Sequence, residues 1–370
     1  MPKQHKILSL VWYKFLPAQF GGQQTIAAFN EALGKQLEIL CLCSKNNQAS
    51  SKESYSIYPQ LPIGKLQFVN PFVWLFIYKF CKKERITHAI VEHPYHAISA
   101  YILHRFLNIQ IVHSSHNIEY QRFRILKKPY WKILYAAEKW ISQFAKINIF
   151  VTQQDVAIAT KVFNISSNKC LVIPHTINAK NIAHKSNAAT HIKHLHQIPS
   201  NHSIFLFNGT LDYLPNAKAV EAIAHYLITA LNKIDPNFTI VVTGRIELEA
   251  FQYLYKLQNK QLIVTGFVNE IEQYFLAANV YVNTVQMGGG VQTKTLEALS
   301  YHLNVACFNN MLNGIETDLV QNKLFIANEN NWTEFAQQVW LATEKFTFTN
   351  NSFFEHYNYN THLQKLITLL

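Results

Sequence analysis

Short apolar runs alternate with amphipathic segments along nearly the whole chain, and this alternation restricts the fold more than any other feature. Runs at residues 6–11, 37–43, 88–92, 109–114, 147–151 and 170–173 have the length and composition of buried strands. Between most of them, residues 22–34, 71–83, 95–106, 129–144 and 153–163 repeat apolar side chains at helical spacing. A strand apolar on both faces needs cover on both faces, which intervening helices supply, so the pattern predicts parallel sheets wrapped by helices. Residues 178–202 interrupt it, rich in Asn, His, Lys and Ser with little apolar periodicity, and the domain junction is expected at 181–202. Strand patterns resume at 204–208, 238–243, 262–265, 279–285, 304–308 and 324–327, with helices at 217–231 and 270–277. The expected fold class is α/β: two Rossmann-like, doubly wound domains facing a cleft, over 1–180 and 203–345, with a helical segment at 346–370 packing back toward the first. With 370 residues each domain can bury its own core. Ligands of such sheets bind beyond the carboxyl ends of the strands.

One junction between strand and helix carries chemistry. Gly288, Gly289 and Gly290 follow the apolar run at 279–285 and lead through Val291 into an amphipathic segment containing Lys294 and Glu297. Glycine-rich loops that open a helix leave backbone N–H groups and the positive end of the helix dipole facing a ligand, and a phosphate fits there. Lys294 and Glu297 stand one turn apart and share a helix face. The cation suits a phosphate and the carboxylate suits ribose hydroxyls, which together describe a nucleoside diphosphate pocket. The plainer reading of the same residues is a glycine-rich turn before a core helix bearing a solvated Lys and Glu.

Composition narrows the class. The chain is 49% hydrophobic, and a mean hydropathy of -0.02 excludes a largely disordered protein. No stretch approaches the roughly 20 apolar residues of a membrane span. The start reads as a buried strand with no small-residue cleavage site after it, so a cytoplasmic location is expected. Cys41, Cys43, Cys81, Cys170 and Cys307 are scattered, without the spacing of a zinc site or a disulfide framework, and Cys41 and Cys43 are expected as buried thiols. His88, His93 and His96 lack a set of carboxylate or thiol partners for a metal. The net charge of +11 favours anionic partners. It concentrates beside aromatic residues at 72–83 and 122–132, a mixture suited to an anionic membrane surface, although a helix between two strands buries apolar residues in any case. Nothing matches a helix-turn-helix, zinc finger or RNP pattern, so no nucleic-acid partner is expected.

The ordered motifs resemble those of the GT-B glycosyltransferases of family four, particularly the bacterial members that build surface polysaccharides. Gly288-x-Gly290-x-x-x-Lys294-x-x-Glu297-Ala298-Leu299 is similar to their donor-site signature. Phe207-Asn208-Gly209-Thr210-Leu211-Asp212-Tyr213-x-Pro215-Asn216 resembles the first strand and turn of their C-terminal domain. His116-Asn117-Ile118-Glu119-Tyr120 looks like the His-Asn-x-Glu-Tyr element of their N-terminal domain. Residues 17–22 resemble the first glycine loop, and Thr265-Gly266-Phe267-Val268 a turn before the nucleotide-binding region. The likeness runs nearly the whole length.

That resemblance implies transfer of a sugar from a nucleotide-sugar donor to a lipid-linked or polysaccharide acceptor, with retention of anomeric configuration. Charge builds on the departing diphosphate, and preorganised positive groups there lower the barrier by roughly 3 to 4 kcal/mol per good donor. The expected catalytic residues are Lys294, His116 and Arg245, with Glu119 either acting directly or serving to cap or to pair with Arg122 or Arg124. Donor binding is expected from Gly21, Gly22, Gly209, Gly288, Gly289, Gly290, Val291 and Glu297. With no Asp-x-Asp pair after a strand, neither metal nor other cofactor is expected. Departures from the family pattern matter too. Gly289 stands where the wider family has the first Glu of the signature, the basic pair after the first strand of the second domain has no clear counterpart, Pro174-His175-Thr176-Ile177-Asn178 replaces an Asn-Gly element, and His302-Leu303-Asn304 replaces Gly-x-Pro. A nucleotide-binding scaffold with weak or no turnover is therefore an alternative, and another GT-B enzyme such as a nucleotide-sugar epimerase a more remote one.

Overall fold

In the computed structural model, which describes residues 5–18, 21–48, 52–287 and 291–370, the apolar runs form two all-parallel sheets. The first comprises β1 (Lys6–Val11), β2 (Glu38–Ser44), β3 (Ser56–Leu61), β4 (His88–Glu92), β5 (Gln110–Ser115), β6 (Ile147–Phe150) and β7 (Cys170–Val172), in the order β3-β2-β1-β4-β5-β6-β7. The second comprises β8 (Ser203–Asn208), β9 (Phe238–Thr243), β10 (Leu262–Gly266), β11 (Val280–Asn283), β12 (Asn304–Phe308) and β13 (Leu324–Ala327), in the order β10-β9-β8-β11-β12-β13. Both orders reverse beside the first strand of the sheet, the mark of a doubly wound Rossmann-like fold.

Side-chain alternation along β1 shows why both faces are covered. Ile7 and Val11 join a core with Ile26, Phe29 and Leu33 of the helix Gly21–Gly34. Leu8 and Leu10 point the other way, against Val73 and Ile77 of the helix Pro71–Glu84 and Ala100 and Leu103 of the helix Ala97–Leu107. Each such aliphatic side chain stabilises the fold by about 1.5 to 3 kcal/mol before the entropic cost of ordering. Helix boundaries follow local chemistry. Asn70 accepts the Phe72 N–H ahead of Pro71, and Arg85 ends that helix in the left-handed conformation. Cys41 and Cys43 are buried free thiols in the first of these cores.

Elements absent from the sequence expectation include the strand β3 and the helices Glu119–Ile125, Lys185–Leu195 and Trp332–Glu344. β3 was not anticipated, because Pro59 and a half-exposed polar pattern hide it; it is an edge strand, where a residue without an N–H is tolerated. Within the polar stretch at 178–202, Lys185–Leu195 is helical and buries Ala188 and Ile192, one turn apart, against the helix Ile271–Ala277. Two apolar contacts are enough for a helix this short in tertiary context and too few to register as periodicity. The chain divides into two compact units, one built chiefly from Met1–Thr176 and His356–Leu370, the other from Ile177–Gly288 and Gln292–Glu355. Tyr359, Leu363 and Leu366 of the helix Tyr359–Leu369 belong to the core of the first unit.

Candidate functional site

At the carboxyl ends of β8 and β11 the second unit gathers a polar cluster in otherwise apolar surroundings. Lys294, in the first turn of the helix Thr293–Ser300, lies along the Phe207 ring at 5.5 Å and donates from Nζ to Asn216 Oδ1 at 2.7 Å. Burial pulls its ammonium down to about 7, opposed by the Glu297 charge. Burial also pushes the Glu297 carboxyl up, while a hydrogen bond from Asn208 and the charges of Lys180 and Lys294 draw it back. Asn208 is itself held, since the buried Tyr281 hydroxyl donates to its Oδ1 at 2.9 Å. The helix is pinned to β11 by Asn283 Nδ2 donating to Thr295 Oγ1 at 3.0 Å. A cation and a carboxylate thus stand on a rigid frame, both desolvated.

Two glycines make the frame possible. A Cβ on Gly209 would collide with Lys294 Nζ and lie 3.0 Å from Asn216 Nδ2. Gly244, at φ +152, is in a conformation side chains rarely adopt, and a Cβ there would overlap the Gly209 carbonyl oxygen. Arg245 follows, and its carbonyl accepts the Leu211 N–H at 2.9 Å, so its backbone borders the same turn. Its side chain is exposed and pairs with Glu247 at 3.4 Å. Lys294, Glu297 and Gly209 are therefore brought together, with the Arg245 backbone adjoining and its guanidinium engaged by a carboxylate. Val291 is a half-buried loop residue two positions before the helix, and Gly288, Gly289 and Gly290 lie outside the described residues.

The first unit carries its own cluster at the carboxyl ends of β4 and β5. His116 Nε2 lies 2.6 Å from Glu92 Oε2, and the Glu92 side chain is wholly buried. Burial pushes the Glu92 carboxyl up, but the hydrogen bond and charge of His116 outweigh it and leave the group below the usual carboxylate range. His93 and His116 have ring centroids 4.5 Å apart. Glu119 receives Tyr95 Oη at 3.2 Å and faces His93 Nδ1 at 3.4 Å and Arg122 Nη1 at 3.5 Å. Arg122 is thus its arginine partner, and Arg124 lies over the Trp131 ring instead. Glu119, distant in sequence, reaches His93 because β5 runs beside β4. Burial lowers the His93 basicity.

Glu92 and Glu138 were missed by sequence reasoning. Glu138 accepts the N–H groups of Glu119 and Tyr120 at 2.9 and 3.1 Å, satisfying the open start of the helix Glu119–Ile125, and burial pushes its carboxyl up to about 8. Its signal was a lone Glu in register with Leu134, Ile141 and Ser142 on the buried face of the helix Trp131–Phe144. Glu92 gave a similar sign by closing a strand whose five residues are all buried. Gly21 and Gly22 begin the helix Gly21–Gly34, where N–H groups have no intrahelical acceptor. Close by, Thr25 Oγ1 bonds the Gly21 carbonyl and lies 3.2 Å from His175 Nδ1.

Exposed apolar side chains of the first unit stand beside lysines and arginines in two segments. Leu66 and Phe72 are each 81% exposed and Ile133 is 72% exposed, with Ile63, Val69, Leu75 and Ile125 also in solvent. Lys65 lies over the Tyr130 ring at 5.5 Å, joining the two segments involved. Residues 61–83 contain four lysines and residues 120–137 five lysines and arginines, with no carboxylate in either. Among the described residues no helix is long and apolar enough to cross a membrane, and no group of three or more His, Cys, Asp or Glu is arranged to hold a metal.

Comparison with known proteins adds an independent line. The family profile described as glycosyl transferases group 1 matches residues 202–343, and that described as glycosyltransferase family 4 matches residues 21–181. No curated protein matches the chain by sequence. Among solved structures it is similar to sucrose-phosphate synthase from Thermosynechococcus elongatus, with a TM-score of 0.75 at 15% identity, over 99% of this chain and 98% of that one. A glycosyltransferase from Rickettsia africae gives a TM-score of 0.69 at 16% identity, over 99% and 98%. HepE from Anabaena in complex with UDP gives 0.68 at 14% identity, over 98% and 97%.

Proposed function

This chain belongs to the family 4 glycosyltransferases and has their GT-B fold, and from that premise we propose that it moves a sugar from a nucleotide-sugar donor to a lipid-linked or polysaccharide acceptor in cell-envelope glycan synthesis, with retention and without a metal. The observation that carries the proposal is that half-buried Lys294 and Glu297 stand one turn apart on one helix, at the strand ends where such sheets take nucleotides. UDP is the nucleotide in the HepE structures, one of which also holds glucose.

In this reading Glu297 accepts hydrogen bonds from the ribose hydroxyls. Lys294, kept close to neutrality by burial, regains its full charge when a diphosphate arrives and stabilises the leaving group as negative charge grows. On the family resemblance, backbone N–H groups at Gly21, Gly22, Gly288, Gly289, Gly290 and Val291 assist, with Arg245 a further cation once its side chain leaves Glu247. His116, its Nε2 donating to Glu92, accepts a hydrogen bond from a donor-sugar hydroxyl at Nδ1, or as the imidazolium donates from Nδ1 to the phosphate. Glu119 serves chiefly to hold His93, Arg122 and Tyr95 around that histidine. The acceptor's proton passes to the departing phosphate.

The exposed apolar and basic segments of the first unit support action at the inner face of an anionic membrane. Phe72, Leu66 and Ile133 would enter the interface while lysines meet headgroups. Gly289, standing where the family signature has a Glu, favours a second reading as a nucleotide-binding scaffold of weak turnover. A thermal-shift screen of UDP, GDP, ADP and their sugars tests the donor assignment: one nucleotide should raise the melting temperature, and Glu297→Gln should abolish most of that rise. No stabilisation by any nucleotide would defeat both readings.

A further inference from the structure

The second sheet borders a cavity of mixed polar and apolar lining, at the edge opposite Asn208 and Lys294. Because the strands are parallel, their amino ends share one edge, and Asn279 and Asn304 there border a cavity of about 360 Å³ with Lys185, His302, Lys345 and Phe346. A small metabolite fits this volume.

Its electrostatics are one-sided. Lys185 Nζ lies over the Phe346 ring at 4.9 Å, and Lys323 Nζ approaches the same ring at 5.5 Å. Lys323 is wholly buried and is held by the carbonyls of His302 and Thr347 at 2.8 and 2.7 Å. Burial lowers the basicity of both lysines, and the Lys185 charge lowers that of Lys323 further. Among the described residues no carboxylate forms an ion pair with Lys185, Lys323 or Lys345. Lys185 also begins the helix Lys185–Leu195, which has no acidic residue in its first turn, so the positive end of the helix dipole adds to the excess. Partly desolvated cations without a counter-ion are stabilised by an arriving anion.

Neutral groups complete the set. His302 accepts the Thr349 N–H at Nδ1, which makes Nε2 the donor of its neutral ring. Asn304 is 4% exposed; its Nδ2 donates to the carbonyls of Ala342 and Lys345, while its Oδ1 is buried without a partner. An orphaned acceptor on a residue that lines the cavity calls for a donor such as a hydroxyl. Half-exposed Phe346 offers an apolar face to a sugar ring.

We propose that this cavity is a second ligand site, separate from the nucleotide pocket, for a small sugar phosphate. Its phosphate meets Lys185, Lys345 and His302, one hydroxyl donates to Asn304 Oδ1, and the ring lies on Phe346. The inference does not rest on the transferase reading, since every residue involved lies outside the nucleotide cluster.

Calorimetric titration of the full chain, with UDP saturating or absent, tests it with glucose 6-phosphate, inorganic phosphate and glucose as probes. Glucose 6-phosphate should bind with one site whether or not UDP is present, and more tightly than phosphate or glucose. Lys185→Gln should weaken it about tenfold and Phe346→Ala by a similar factor, with a retained cooperative thermal transition as the control for folding. Competition with UDP, binding undiminished in Lys185→Gln, or no saturable binding at concentrations of about 10 mM would overturn the site. Inorganic phosphate binding as tightly as glucose 6-phosphate would overturn the sugar part of the assignment.

Discussion

Nucleotide binding should take up a proton above neutral pH, and Lys294 should be where it goes. In the free protein burial brings this ammonium down to about 7. At pH 8 only about one molecule in eleven then carries the charged form, against about ten in eleven at pH 6. If the diphosphate is held by the charged form, apparent affinity should fall about tenfold between pH 6 and 8, or ~1.4 kcal/mol, and each nucleotide bound at pH 8 should bring in about 0.9 proton. Titrating UDP in two buffers of different ionisation heat reads the proton directly. Lys294→Met, measured alongside, subtracts the titration of the nucleotide itself. The same shift has a sign for stability. Between about 7 and the ordinary 10.5 the unfolded chain holds a proton that the folded chain has released, so the contribution of this group to stability rises with pH through that window. Lys294→Met should accordingly stabilise the nucleotide-free protein at pH 6 to 7. Equal affinity at pH 6 and 8 with no proton uptake, or uptake that persists in the Met variant, would refute the reasoning.

Three other outcomes are expected. Gly244→Ala should lower stability by about 3 kcal/mol in urea unfolding, because the new Cβ meets the Gly209 carbonyl at a φ of +152; an unchanged midpoint would show that the turn relaxes freely. Glu92→Gln should reduce kcat by about 10- to 100-fold with UDP affinity unchanged, while Glu92→Asp recovers part of it; equal losses in both variants would point to a structural role only. Replacing Lys127, Lys128 and Lys132 with Ser should cost about 1 kcal/mol of attraction per charge to phosphatidylglycerol vesicles at low salt and leave donor hydrolysis intact, and a wild-type chain that ignores such vesicles would argue for a soluble acceptor.

Much of the architecture was legible because buried parallel strands are written as continuous apolar runs. β4 and β12 fall at the residues expected, and the helix Pro71–Glu84 starts at the Asn-Pro pair that announces it. β3 stayed hidden because an edge strand need not be apolar, and Lys185–Leu195 because its burial rests on two side chains. The motif named Lys294 and Glu297, but their surroundings, with Phe207 and Asn216 against Lys294 and Asn208 hydrogen-bonded to Glu297, come from residues far away in sequence. Glu92 was invisible as the partner of His116 for the same reason: adjacent strands, and not adjacent residues, bring the two together.

Turnover of the donor is the most direct test of the transferase assignment. Nucleoside diphosphate released from UDP-, GDP- and ADP-sugars should be followed with the full chain, Lys294→Ala and Glu297→Gln. One donor should be hydrolysed in a saturable manner by the wild-type chain, with kcat falling in Lys294→Ala more than affinity does, and with affinity weakened by about 1 to 3 kcal/mol in Glu297→Gln. Nucleotide binding without release of product from any of these donors, even when lipid-linked and polysaccharide acceptors are supplied, would contradict catalysis and leave a nucleotide-binding scaffold.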